Sequence, residues 1–293
     1  MRVLTWNVNS IRKRLDHLCD LLSSRSVDVA MLQEIKCTTE QFPEDELKSM
    51  GYTCRILGQK SRNGVAIVSR LPIVGEGISN LFSDGEKLEF SNSIYSPEES
   101  RYLECVVRCE EGVDIRIASV YVPNGNEVKS GSFYYKLNFL EKLKLRLKEI
   151  LKTEDLLVVG GDYNVAPENI DVYDSKLLDG KLCFHLEERA KLREILNTTA
   201  VVDAFRSYNG DEKRAFSWWN YREGAWNNDK GMRIDAILLS MRLADRITNS
   251  QILSNVRALD SPSDHAPVVC DIVTDDLTYR TYSNSPIVRC SPL

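Results

Sequence analysis

Short apolar runs that break off into polar residues recur along the 293-residue chain, and that pattern restricts its fold more than any other feature. Asp155-Leu156-Leu157-Val158-Val159 leads into Gly160-Gly161-Asp162-Tyr163-Asn164. Leu and Val in so short a run predict a buried strand, and the glycine pair predicts its stop. Chemistry in an α/β sheet gathers at strand ends, so the polar groups that follow are candidates for it. Asp162 and Asn164 are two apart and point to one side if the extended geometry continues.

The same arrangement returns elsewhere. Leu4 to Ser10 is a short strand ending in amides, and Val27 to Glu34 is an apolar strand ending in a carboxylate. Ile115 to Gly125 alternates and closes on Tyr121 and Asn124. Arg233 to Leu239 puts Asp235 at a strand start, and Ser261 to Val269 puts Asp264-His265 before another. One polar strand end says little. This many, drawn from both halves of the chain, predict one shared active site and hence one domain over residues 1–276. Beyond it, 277–293 turns to Tyr, Ser, Thr and Pro with little periodicity and is expected to be a loosely held tail.

Helical spacing supports an α/β order. Leu15, Leu18, Leu21 and Leu22 predict a helix over 12–25. Phe133, Leu137, Leu140, Leu143, Leu147 and Leu151 predict another over 133–151, with a solvated basic face, and a shorter one is expected over 186–196. Strands at 63–69, 102–108 and 115–122 are expected to form antiparallel sheet, and 75–100 reads as a loop or hairpin excursion.

Composition narrows the classes. A content of 43% hydrophobic residues is enough to bury a sizeable core, and the net charge of −5 argues against a general polyanion-binding coat while leaving room for a local basic face. The eight cysteines include no CxxC and read as reduced thiols of a cytoplasmic-type compartment, nucleoid-associated if the source is bacterial. Three histidines exclude a His-rich zinc site. Met1 leads straight into the first strand, so no signal peptide is expected, and no apolar run approaches the about 20 residues of a membrane span.

With these residues in view, the chain resembles the exonuclease III branch of apurinic/apyrimidinic endonucleases, within the DNase I-like phosphodiesterase superfamily. The segments are WNVNS at 6–10, LQEIK at 32–36, NGVAI at 63–67, YVPNG at 121–125, GGDYNVAP at 160–167, FSWW at 216–219, RID at 233–235 and SDHAPV at 263–268. They span the chain from Val3 to about Asp271, in the family's order. The resemblance implies a four-layer α/β sandwich, with two packed mixed β-sheets flanked by helices. It implies hydrolysis of the DNA phosphodiester bond 5′ to an abasic site, leaving a 3′-hydroxyl, with 3′–5′ exonuclease and 3′-end-cleaning side activities.

Roles follow from that chemistry. Phosphodiester hydrolysis needs a deprotonated water, charge neutralisation and help for the leaving oxygen, and a hard cation held by carboxylates supplies much of this. The implied cofactor is Mg²⁺ or Mn²⁺, as one ion or two. Glu34 and Asp264 are the expected acidic ligands. Asn7 either completes the shell through its carbonyl oxygen or orients Glu34. The resemblance also places Asp162, Asn164 and His265 around the metal. Asp162 is the expected base or water-orienting group, Asn164 a donor to the charged phosphate oxygen, and His265 a donor whose tautomer Asp235 fixes. Tyr121 is expected to hydrogen-bond the phosphate or act as an acid.

For the substrate, Trp218, Met232 and Ile234 match a pocket for a flipped-out abasic sugar. Arg12, Arg62 and Arg101 match backbone contacts, and Lys36 and Asn124 are expected beside the DNA. Three positions depart from the family pattern. Asn9 stands where some members have Asp, Asp229 where Asn is usual, and Met232 where Trp is frequent. The expected partner is duplex DNA with abasic sites or blocked 3′ ends, handled by a monomer with no membrane attachment. A phosphodiesterase for inositol phosphates or sphingolipids is the main alternative, and YVPNG, FSWW and RID count against it.

Overall fold

The computed structural model describes residues 1–82, 88–90, 93–95, 99–109, 112–275 and 277. Twelve strands form its two main sheets. They are β1 (Arg2–Asn7), β2 (Val29–Gln33), β3 (Thr53–Leu57), β4 (Val65–Ser69), β5 (Ile73–Glu76), β6 (Tyr102–Arg108), β7 (Asp114–Tyr121), β8 (Leu157–Asp162), β9 (Val201–Asp203), β10 (Asp235–Ser240), β11 (Ile247–Ile252) and β12 (Val268–Ile272). The long helices are α1 (Ile11–Ser24), α2 (Gly131–Ile150) and α3 (Leu186–Thr198).

The first sheet runs β11-β12-β1-β2-β4-β3 and the second β9-β10-β8-β7-β6-β5. Each has one parallel pair at its centre, β1 with β2 and β7 with β8, and every other pairing is antiparallel. A parallel pair needs a crossover. Helix α1 supplies one and α2 the other, so the two halves are built alike although their sequences show no repeat.

Strands buried on both faces read as continuous apolar runs. Val3, Met31 and Ile67 of the first sheet meet Cys105, Ile117, Val158 and Ile237 of the second in the central core. Leu4, Trp6, Ala30 and Leu32, on the outer face of the first sheet, pack on Leu18, Leu21 and Leu22 of α1. Leu157 and Val159, on the outer face of the second, pack on Phe139, Leu140, Leu143 and Leu147 of α2 and on Leu192 and Ile195 of α3. The result is the four-layer sandwich. At about 1.5–3 kcal/mol for each fully buried aliphatic side chain, these three clusters supply the main driving force for folding. All described cysteines are free thiols, and burial pushes Cys105 and Cys270 up to about 12.

Several boundaries differ from the sequence reading. The β4 strand joins the first sheet, apart from β6 and β7. Part of the 75–100 excursion is a small hairpin of Leu88–Phe90 with Ser93–Tyr95. The expected tail lies outside the described residues except for Leu277, which is buried. The basic face of α2 is not all solvated, because Lys136 and Lys144 are buried in ion pairs with Glu188 and Glu194.

Gly160 and Gly161 do not end their strand, since β8 continues through both to Asp162. They are there because the backbone is crowded. A Cβ on Gly160 would lie 2.5 Å from Met31 Cε and 2.9 Å from Thr5 Cβ across the sheet interface. One on Gly161 would lie 2.1 Å from the Val120 carbonyl oxygen of the neighbouring strand. The glycines let the sheets close tightly beside the strand ends that carry the polar residues. Gly161→Ala is therefore expected to cost about 1–3 kcal/mol, read as a lower urea midpoint with an unchanged slope. A midpoint equal to wild type would contradict this packing.

Candidate active site

Register does most of the assembly. On the second sheet Tyr121, Asp162 and Asp235 stand side by side, Asp162 pairing with Tyr121 on one flank and Asp235 on the other. On the first sheet Asn7 pairs with Gln33, immediately before Glu34. The C-terminal ends of both parallel pairs thus open on the same side, and a hydrogen bond joins them. Asn7 Nδ2 donates to Glu34 Oε1 at 2.9 Å and to Asp162 Oδ2 at 3.0 Å.

Asp162 is almost wholly buried, with 1% of its surface exposed. Burial raises its carboxyl above the usual range, and Asp235 adds to this while His265, Asn7 and the Asn164 N–H oppose it. The Asn164 backbone N–H donates to Asp162 Oδ1 at 2.9 Å. His265 bridges the two acids, with Nδ1 2.9 Å from Asp235 Oδ2 and Nε2 3.7 Å from Asp162 Oδ2. Burial alone would lower the imidazole's pKa, but Asp235, Asp162 and Asp264 outweigh it and hold His265 above its ordinary value. For Glu34, burial works upward and is outweighed by Lys36, Asn7 and His265, so its carboxylate stays below its ordinary range.

Backbone strain collects here. Asn9, Ser10, Glu34, Lys36, Asn63 and Asn164 all have positive φ, between 43° and 92°. Each costs on the order of 1–3 kcal/mol and persists because surrounding bonds fix it. Asn164 at φ 51° breaks the extended geometry expected after Asp162. Its amide therefore turns inward, Nδ2 donating to the Val122 carbonyl at 2.9 Å and Oδ1 accepting from Asn124 Nδ2 at 3.2 Å. Asn164 lines the cavity, but this arrangement makes it a support for Asp162 rather than a free donor.

The geometry bears on three other expectations. Asn7 faces both carboxylates with its amide nitrogen, and its Oδ1 accepts from the Asn9 N–H at 3.0 Å, so it orients Glu34 rather than offering a carbonyl ligand. Asp264 lines the same cavity, accepts from Asn9 Nδ2 at 2.9 Å and from Trp218 Nε1 at 3.0 Å, and lies outside the tightest cluster of possible ligands. Arg101 is no open phosphate contact: it is buried, paired with Glu99 at 2.5 Å, and stacked 4.7 Å from the Tyr121 ring centre. Burial pushes the Tyr121 phenol far above its usual value, with Glu34 adding to the shift, so the phenol keeps its proton and is a donor.

Arg12 and Arg62 are exposed. Asn9, Ser10, Arg12, Lys13, Lys36, Ser61 and Tyr221 line an open trough of about 390 Å³. Lys36 reaches from it into the site, 2.7 Å from Glu34 Oε2 and 2.6 Å from Asn9 Oδ1. Arg233 is buried between Asp171 and Asp203 and serves the fold. Asp229 is exposed and accepts from Trp219 Nε1 at 3.1 Å.

The cluster opens into a cavity of about 320 Å³, lined by Glu34, Tyr121, Asn124, Asp162, Asn164, Asp264 and His265 together with Trp218, Met232 and Ile234. Leu182 and Cys183 also line it, and no sequence signal marked them. Two serines were missed as well. Ser217 Oγ donates to Asp235 Oδ2 at 2.6 Å and accepts the Ile234 and Asp235 N–H groups. Ser263 Oγ donates to the Asn7 carbonyl at 2.7 Å and accepts the His265 N–H. The Ser-Asp-His context hinted at Ser263, whereas Ser217 sits among aromatics and carries no local sign of its partner.

Glu34, Asp162 and His265 present ligand atoms all within 4.8 Å of one another. Two carboxylates gathered at so buried a point suit a hard divalent cation that prefers oxygen. Glu34 and Asp162 would hold it, with His265 Nε2 within reach.

Comparison with known proteins agrees with this geometry. The model of the Endonuclease/Exonuclease/phosphatase family matches residues 4–265. Exodeoxyribonuclease III of Haemophilus influenzae is 28% identical over 277 residues, covering 92% of this chain and 98% of that protein. A structure of an AP endonuclease from Archaeoglobus fulgidus superposes with a TM-score of 0.80 at 32% identity, covering 93% of this chain and 99% of that one. The 3′ phosphatase NExo from Neisseria, bound to a product DNA hairpin, gives 0.85 at 30% identity over the same shares.

A calorimetric Mn²⁺ titration separates the ligands from their neighbours. Glu34→Gln is expected to weaken binding by at least the about 10–100-fold typical of groups that support a metal site. Asp264→Asn is expected to change it less than about tenfold. Equal losses in both would restore Asp264 as a ligand.

Proposed function

The chain belongs to the endonuclease/exonuclease/phosphatase family, in its exodeoxyribonuclease III-like branch, and on that basis we propose that this hydrolytic nuclease cuts duplex DNA on the 5′ side of an abasic site, leaving a 3′-hydroxyl. The observation that carries the proposal is the joint opening of the acid–imidazole cluster and an apolar wall into one cavity. A sugar lacking its base fits against Trp218, Met232 and Ile234 while its phosphate lies against the polar groups. Flipping is cheapest where no base is stacked, so selectivity needs no base readout. Met232 is more adaptable than an aromatic residue, which favours a tolerant pocket.

Each side chain then has a task. Asp162, held by Asn7 and the Asn164 N–H, takes a proton from the attacking water as the water oxygen bonds to phosphorus. Protonated His265, fixed through Nδ1 by Asp235, donates from Nε2 to a non-bridging oxygen as charge builds there. Tyr121 is a second donor. The bond from phosphorus to the preceding nucleotide's 3′-oxygen breaks, and that oxygen leaves as the 3′-hydroxyl once protonated. Glu34 and Asp162 would hold a divalent ion, Mg²⁺ or Mn²⁺, which when bound would supply charge neutralisation. The trough with Arg12 and Lys13, extended by Arg62, positions the backbone. The protein is proposed to act as a cytoplasmic monomer.

A second reading, removal of phosphate or nucleotides from 3′ ends, draws support from the likeness to the Neisseria 3′ phosphatase and uses the same residues.

The test is a 5′-labelled duplex carrying one tetrahydrofuran abasic analogue, with Mg²⁺ and then with EDTA. The expected product is a single metal-dependent nick directly 5′ to the analogue. A 3′-to-5′ ladder alone would favour the second reading. Asp162→Ala and His265→Ala are each expected to lower the rate by at least about 10²–10⁴-fold, and near-wild-type cutting by either would contradict the assignment. The pH profile follows from the shifts. Burial raises Asp162, so activity falls as pH drops through its pKa and the base takes up a proton. The carboxylates raise His265, so activity falls again as pH climbs through its pKa and the donor is lost.

A further inference from the structure

Lys136 is fully buried on α2, and its ammonium is saturated. It donates to the Asn164 carbonyl at 2.7 Å, to the Asn124 carbonyl at 3.1 Å and to the Glu188 carboxylate. Three donors meet three acceptors, which is what makes a buried ammonium tolerable. Two of the acceptors belong to the segments that leave the ends of β7 and β8, the strands ending in Tyr121 and Asp162. The third is on α3, where the other Glu188 oxygen accepts the His185 N–H at 3.1 Å and so closes the helix's N-terminal cap.

We infer that Lys136 is a positioning residue for the reaction. From behind the cavity it pins Asn124 and Asn164, and through the Asn164 N–H it sets Asp162. The chain of contacts is short. The ammonium holds the Asn164 carbonyl, the Asn164 N–H donates to Asp162 Oδ1, and the positive φ of 51° relates the two groups, so fixing the carbonyl helps to fix the N–H. The Asn124 amide reaches across to Asn164 Oδ1 in front of the same ammonium. Lys136 is not part of the cavity lining, and its charge is balanced by Glu188, so its effect is on alignment. The inference rests on the proposed role of Asp162 in cutting.

Lys136→Met alone strands the Glu188 carboxylate in the core and is expected to unfold the protein or weaken it severely. The informative variant is the double change Lys136→Met/Glu188→Met, which replaces the pair with apolar side chains and removes the tether without leaving a buried charge. We expect this variant to fold cooperatively with a lower denaturation midpoint, since the His185 N–H and two carbonyls lose their partners, and to keep the wild-type KM on the tetrahydrofuran duplex while kcat falls by tenfold or more. Hydrogen exchange at Tyr163, Asn164 and Ala166 should accelerate. Glu188→Gln leaves the buried ammonium without its counter-charge and is expected to lower the denaturation midpoint, but its amide oxygen can still accept from the ammonium, so below that midpoint kcat should stay within about twofold of wild type.

Wild-type kcat or unchanged exchange at Asn164 in the double variant would overturn the inference. So would a loss in Glu188→Gln as large as that in the double variant. Inactivity of the wild-type protein on the abasic duplex would instead count against the substrate reading. The exchange comparison decides the positioning role in that case too.

Discussion

The structure depends on one amide. Asn7 ends the central strand of the first sheet, and its Nδ2 reaches Glu34 on its own sheet and Asp162 on the other. For those bonds to form, two sheets must close at one edge to hydrogen-bonding distance. That is why Gly160 sits opposite Met31 and Thr5, where any side chain would hold the sheets apart. The apolar core between the sheets supplies the energy of closure, and the amide makes its edge specific. A carboxylate pair at this depth is unfavourable without donors, so the polar edge is also where the fold is least forgiving.

Charge is managed by interleaving. Glu34, Asp162, Asp235 and Asp264 converge, and each meets a donor held by another part of the chain. Lys36 and Asn7 serve Glu34; Asn7 and the Asn164 N–H serve Asp162; Ser217 and His265 serve Asp235; Asn9 and Trp218 serve Asp264. His265 lies between two acids and is drawn toward its charged form by both. A divalent ion on Glu34 and Asp162 would relieve the remaining excess of negative charge, which links metal binding to the protonation of His265.

Much of this was legible in the sequence, because strand ends announce themselves. The apolar runs placed Asn7, Glu34, Tyr121, Asp162 and Asp235 at strand termini, and the register in each sheet then brought them into rows. What the sequence could not show was direction. Asn164 was expected to follow Asp162 in extended form, but a positive φ turns its amide inward. Arg101 was matched to a DNA-backbone contact, yet it lies buried just before β6 and against the Tyr121 ring. Asp264 and Glu34 were both expected as ligands, and the bonds of Asp264 to Asn9 and Trp218 depend on contacts that no local pattern encodes. Ser217 and Lys136 depend on contacts 18 and 28 residues away, to Asp235 and Asn164, which no local pattern encodes.

The most direct test of the account is a double-mutant cycle in single-turnover cleavage, pairing Asn7→Ala with Asp162→Ala. If Asn7 works by aligning Asp162 across the sheets, the two losses must overlap. Removing Asn7 should then cost at least about tenfold less in the Asp162→Ala background than in wild type, a coupling above about 1 kcal/mol. An equal cost in both backgrounds would contradict the account and would leave Asn7 as a residue of the fold alone.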